Sequence, residues 1–192
     1  MDAQEWDARY AAAPQWSDAP NALAAELLRD LPPGRALDVA AGEGRMALWL
    51  ASLGWQITAL DFSATGLERG RERAAQRGLE VDWRVADATA VDLGEGQYDL
   101  VLVLYLHLPP VPLVDVLQRC ARAVAPGGRL LVLGHDRDNL LRGTGGPQDA
   151  ALLYDVDTLR AAATGLVIER VEQVERPVDG RVAVDALLLA RR

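Results

Sequence analysis

The feature that most restricts the fold lies near the C-terminus. Two apolar runs, Val167–Glu175 and Val182–Ala190, are joined by only RPVDGR. A parallel pair needs a crossover of a dozen or more residues, so these two runs must form an antiparallel hairpin. Upstream, five short apolar runs (Ala36–Ala40, Gln56–Leu60, Val81–Val85, Tyr98–Leu104 and Arg129–Gly134) alternate with helical stretches. Those stretches are Gly44–Leu53, Ala64–Arg77, Pro112–Val124 and Asp155–Ala163, with Asn21–Leu31 ahead of the first strand. The alternation predicts an α/β fold: a Rossmann-like seven-stranded mixed sheet of five helix-linked parallel strands plus the C-terminal antiparallel hairpin, with helices on both faces. The first five strands are nearly all apolar and read as covered on both sides.

A chain of 192 residues is expected to form one domain, spanning 1–192. Its formal charge is −8 with no local excess of Lys or Arg, which argues against nucleic acid as a partner. No apolar run approaches the roughly 20 residues needed to span a bilayer, so no membrane partner is expected. The acidic start, MDAQEWDARY, does not read as a signal peptide, and a cytoplasmic setting is expected. Cys120 is the single cysteine and sits on an apolar helical stripe, so it reads as core. With two histidines, no metal site is expected. The charged run LERGRERAAQRG reads as a solvated helix face.

The chemistry concentrates in ALDVAAGEGRMALWLASLGWQITALDFS, 36–63. Gly42 and Gly44 permit a tight turn and close approach of a ligand between the first strand and the next helix. Asp61 ends the second strand, where an acid can accept from both ribose hydroxyls. Gly42-x-Gly44-x-x-Ala47 also fits a dinucleotide fingerprint, so an NAD(P)-dependent oxidoreductase is an alternative. Three features pull away from it. Asp38 beside the ligand space suits an ammonium better than a pyrophosphate, the chain ends in a hairpin, and Asp87 follows the third strand where a carboxylate can hold an adenine amino group.

In order along the chain, these segments resemble the class I S-adenosylmethionine-dependent methyltransferases. LDVAAGEGR is similar to that family's first motif, TALDFS to the second, VADA to the third, and YDLVLVLYLHL to the fourth strand and its loop. Ala40 departs from the pattern, standing where the family has its first glycine; slight crowding is expected there. WDARYAAAPQWSDAPN followed by the glycine loop is similar to small methyltransferases of the tellurite-resistance and thiopurine types. The resemblance implies S-adenosyl-L-methionine as cofactor, S-adenosyl-L-homocysteine as product, and methyl transfer (EC 2.1.1) to a small-molecule acceptor by a monomer or homodimer. A non-catalytic S-adenosylmethionine-binding module shares the same cofactor residues. The implied cofactor contacts are Asp38, Ala40, Gly42, Gly44, Arg45 at the methionine carboxylate, Asp61, Phe62 on the adenine face, Asp87, Ala88, and the strand end Val103 and Leu104.

The acceptor side is expected beyond strands four and five, because strand C-terminal ends face the ligand crevice in open α/β sheets. His107 in YLHLPP and His135 in VLGHDRDN are the candidate catalytic bases; as bland alternatives each is a structural loop histidine. Asp136 is the expected partner of His135, or else a cap. Trp6, Tyr10 and Trp16 are expected to form a lid within an N-terminal helical segment, 1–34, and Trp6, Tyr10 or Tyr105 to face the sulfonium. The cofactor-binding core then covers 35–134, and the substrate-side loop, helix and hairpin 135–192.

Overall fold

The computed structural model describes residues 2–192. Its strands are β1 (Arg35–Val39), β2 (Gln56–Asp61), β3 (Asp82–Val85), β4 (Tyr98–Leu104), β5 (Val124–His135), β6 (Val167–Val178) and β7 (Arg181–Arg191). They form a seven-stranded mixed sheet in the order β3-β2-β1-β4-β5-β7-β6. The chain divides into two compact units, Met1–Asp92 and Leu93–Arg192.

In the first unit, β1 pairs with β2 and β2 with β3, all parallel. The helices are α1 (Ala3–Ala12), α2 (Ala22–Leu28), α3 (Arg45–Ser52) and α4 (Ala64–Arg77). Local signals explain their ends. Asp2 and Glu5 form a capping box on α1. Ser63 caps α4 by accepting from Gly66 N–H, and Gly78 closes it in the left-handed region at φ +64°. β3 departs from the expectation of strands covered on both faces: its residues are exposed or half-buried. It is an edge, and Trp83 is its anchor. A Cβ on Gly44 or Gly70 would come within 2.6 Å of the Trp83 ring, so these two glycines make room for the indole.

In the second unit, β4 and β5 run parallel, flanked by α5 (Pro110–Ala123). β5 starts five residues ahead of its apolar run, because Val124 is already extended at the end of α5 and pairs with Tyr98. The glycine-rich stretch after β5 holds a short helix α6 (Asn139–Arg142) and a 3₁₀ turn, Ala150–Leu152, before α7 (Val156–Ala162). β6 and β7 form the expected hairpin, turning at Asp179 and Gly180, both at positive φ. Their composition decides which strand goes inside. Ala183–Ala190 is buried throughout, whereas β6 alternates between exposed and half-buried residues. So β7 pairs antiparallel with β5 and β6 forms the edge. That register sets Asp185 opposite His135. Cys120 is fully buried, as expected of a core residue.

Candidate functional site

In the first unit the site is built on the turn after β1. Ala40, Gly42 and Gly44 all have positive φ, at +61°, +57° and +72°. Gly42 donates its N–H to Asp61 Oδ2 at 2.8 Å, and Ser63 donates its own to Oδ1 at 2.8 Å. Both carboxylate oxygens of Asp61 thus brace the backbone, with the Phe62 amide as a third donor. Asp38 is 3% exposed. Burial, and then the negative Asp61, push its carboxyl up from 3.8 to about 7, with Arg45 and the Ala47 amide offsetting only part. Burial raises Asp61 as well. Two buried acids held against ionisation are a place for a cationic ligand group.

The N-terminal aromatics close over this turn. A Cβ on Gly42 would lie 2.6 Å from the Tyr10 hydroxyl, so the missing side chain is what admits Tyr10. Trp16 donates to that hydroxyl, and Trp6 stacks on Tyr10 with centroids 5.4 Å apart. Arg45 lies under the Trp16 ring at 5.5 Å. Two residues without a role in the sequence reading fasten the segment. Asp7 accepts from Ser63 Oγ at 2.6 Å and Thr65 N–H at 2.9 Å. Glu43, 1% exposed, accepts from the Gln15 N–H at 3.0 Å and pairs with Arg69 and Arg73 at 3.4 and 3.3 Å. Arg69 and Arg73 belong to the charged run expected to be solvated; that face is only partly so, because a buried glutamate requires cations. Phe62 is half-buried and Ala88 buried. Asp87 is exposed, and its Oδ1 accepts from the Thr89 N–H and hydroxyl. Gly44 also makes room for Trp83, as above.

In the second unit, Val103 and Leu104 end β4, and Tyr105 follows at φ +60°, a conformation that costs a non-glycine residue about 1–2 kcal/mol. Its hydroxyl donates to Asp185 Oδ2 at 2.8 Å, and Arg176 Nε donates to the same oxygen at 2.8 Å. His135 Nδ1 lies 3.0 Å from Asp185 Oδ1, bent away from a linear hydrogen bond. His107 stacks on His135 at 5.6 Å with planes 12° apart. Its Nδ1 sits 2.8 Å from the Leu152 carbonyl. A carbonyl only accepts, so the proton is on Nδ1 and Nε2 keeps its lone pair, buried and unpartnered. Burial lowers His107 to about 4, leaving it neutral at physiological pH.

Asp136 corrects the sequence reading. It does not partner His135. Its Oδ1 accepts from Asp138 N–H at 2.9 Å and Gln173 Nε2 at 2.8 Å, shaping the loop after β5. The acid beside His135 is Asp185, which the sequence reading missed together with Arg176. The available signal was a lone aspartate inside an otherwise apolar strand, AVDALLLA, which must find partners when buried.

Topology, glycine turn and strand-end acids together define the fold of a class I S-adenosylmethionine-dependent methyltransferase. Residues 36–128 match the methyltransferase domain family. The chain is 36% identical to the demethylmenaquinone methyltransferase of Thermus thermophilus over 57% of its own length and 51% of that protein. It thus spans about half the length of that curated relative, and less of others. A solved structure reported for the conversion of a disulfide bond into a thioacetal group during echinomycin biosynthesis superposes with TM-score 0.78 and 26% identity, covering 99% of this chain and 91% of the other. TehB from Haemophilus influenzae superposes with TM-score 0.73 at 18% identity over 88% of this chain and 60% of its own. That is a likeness of fold alone, and the narrower tellurite resemblance gains nothing from it. Among the described residues no helix is long and apolar enough to cross a membrane.

Proposed function

We propose that this protein transfers a methyl group from S-adenosyl-L-methionine to a small-molecule acceptor. The observation that carries the reading is Asp38: a buried carboxylate beside a glycine turn, next to a second buried acid, calls for a cation. S-adenosylmethionine brings an ammonium and no phosphate, which suits this donor set better than the pyrophosphate of NAD(P). When bound, it supplies a methyl group on a positively charged sulfur. Asp38 holds the ammonium and Asp61 meets the ribose hydroxyls. Asp87 and Ala88 take the adenine edge, and Phe62 packs on its face. Tyr10 and Trp16 exclude water from the turn, and Arg45 is the carboxylate's counter-charge once it leaves the Trp16 ring. His107 and His135 serve the acceptor. Residues 1–192 act as one functional domain, monomeric or dimeric, in the cytoplasm.

The methylation of a quinone precursor named for the Thermus relative makes small aromatic molecules the first acceptors to try. Binding of S-adenosylmethionine and its demethylated product, with label transfer from the methyl group to an acceptor, is the supporting result. Binding of NADH in their place means an oxidoreductase. Cofactor binding that persists without turnover on thiols, phenols, amines and chalcogen oxyanions means a binding module.

A further inference from the structure

We propose that Asp185 is the positioning residue for His135, which acts as a general base, and that the acceptor group is therefore an acidic hydroxyl, a phenol or an enol. The inference rests on the methyltransferase reading and deepens it.

Asp185 is fully buried on β7, a strand otherwise apolar across Ala183–Ala190. A carboxylate there has a large solvation cost and needs a reason to stay. Its two oxygens are used unequally. Oδ2 is filled by two donors, the Tyr105 hydroxyl and Arg176 Nε. Oδ1 has no hydrogen bond and lies 3.0 Å from His135 Nδ1, which has none either. Rotation of the imidazole about its soft outer torsion aligns the pair. The proton then sits on Nδ1 and the basic Nε2 is presented outward, with the imidazolium stabilised by Asp185. This is the division of labour by which a buried aspartate makes a histidine a base for a hydroxyl.

The surroundings narrow the substrate. Beside His135 stand Tyr105 at 5.1 Å and His107 at 5.6 Å between ring centroids. Gly146, from the loop after β5, packs so closely on the imidazole that a Cβ would clash with Cδ2. His107 Nε2 is buried and closed to a ligand, so the imidazole nitrogen left to meet an acceptor is His135 Nε2, which as a base calls for a ligand that donates. A neutral amine needs no base before it attacks a methyl group, and a thiol with a pKa near 8.5 is partly ionised already. A phenol near 10 needs its proton removed, which is what a supported histidine provides. His135 Nε2 takes the hydroxyl proton. The oxygen's electron pair forms the bond to the methyl carbon as that carbon's bond to sulfur breaks, its pair remaining on sulfur. His135 then releases the proton to water.

The test uses the full chain in two arms. In the first, nitrogen-15 NMR of the imidazoles, with no ligand, reads the tautomers. Wild type should carry the His135 proton on Nδ1. In Asp185→Asn the side-chain oxygen is claimed by Tyr105 and Arg176, so its NH2 faces Nδ1 and His135 should switch to the Nε2–H form. A wild-type His135 protonated on Nε2, or no switch in a folded Asp185→Asn, overturns the assignment. The wild-type measurement decides even where the variant does not fold. In the second arm, labelled S-adenosylmethionine is offered with phenol, aniline and thiophenol versions of one aromatic scaffold. Transfer to the phenol should dominate, and Asp185→Asn should lower its kcat by about 10²–10⁴-fold with KM little changed. Preferred transfer to nitrogen or sulfur, or to none of the three, overturns the hydroxyl class. Calorimetry of S-adenosylmethionine on the same sample shows whether the methyltransferase reading falls with it.

Discussion

Asp38 and Asp185, one in each unit, look alike in the sequence: each is a single acid inside a strand of apolar residues, LDV and VDA, and each is buried. The fold treats them oppositely. Burial works against ionisation of Asp185, but His135 beside it and the Arg176 guanidinium favour its charged form enough to hold its carboxyl below the ordinary value. Asp38 has burial and a neighbouring acid, with Arg45 offsetting only part, and its carboxyl rises to about 7. One carboxylate is satisfied by the protein. The other is only partly compensated, by Arg45 and the Ala47 amide, and is the residue proposed to take the cofactor's cation. Burial alone therefore says little about whether an acid is structural; the sign of what surrounds it does.

The sharpest way to break this contrast is pH. For Asp38 the folded value lies above the unfolded one of 3.8. Between about pH 4 and 7 the unfolded chain gives up this proton while the folded chain keeps it, so the group makes stability fall as pH rises. Asp38→Asn should remove that loss, stabilising the free protein at pH 7 by up to about 4 kcal/mol while weakening S-adenosylmethionine binding. Urea unfolding from pH 4 to 8 checks the first half and calorimetry the second. Asp61 is raised too, so a residual slope should remain. An unchanged slope would mean that Asp38 is not the strained acid.

Asp185 has the opposite sign: its stabilisation is present above pH 4 and lost as pH falls through its lowered folded value. Asp185→Ala should cost about 3 kcal/mol at pH 7, because it takes the carboxylate from Arg176; a quarter-exposed guanidinium that still packs on the Tyr105 ring keeps the cost at the low end. Denaturant midpoints measure it. Glu43→Gln tests the N-terminal fastening and should cost about 1–2 kcal/mol. Hydrogen exchange should quicken at the Gln15 and Trp16 amides, and unchanged protection would show that the glutamate does not hold the segment. The smallest effect concerns Ala40, whose φ of +61° suits glycine. Ala40→Gly should stabilise by about 0.5–1 kcal/mol in the same unfolding assay.

The same contrast explains what the sequence made legible. The glycine turn is local: spacing, strand and following acid lie within 36–63 and are made largely of backbone, so they leave a motif. The hairpin was legible for the same reason, through a link too short for anything else. The cluster of Tyr105, His107, His135, Arg176 and Asp185 leaves no motif. Its members meet only through the β5–β7 register and the loop after β4, which is why Asp136, adjacent in sequence, was read as the partner of His135 and Asp185 was not. Glu43 stood inside the motif yet passed unnoticed, because its ion pairs come from α4 and its amide donor from the N-terminal segment. β3 was grouped with the apolar runs, although Asp82 and Arg84 within VDWRV already mark a strand with one solvated side.

The most direct test of the account is a calorimetric titration of the protein and its Asp38→Asn variant with S-adenosylmethionine, S-adenosylhomocysteine and NADH at pH 7. Micromolar binding of the first two to the wild type, loss of it in the variant, and no binding of NADH are expected. Binding of NADH alone, or S-adenosylmethionine affinity untouched by Asp38→Asn, would contradict it.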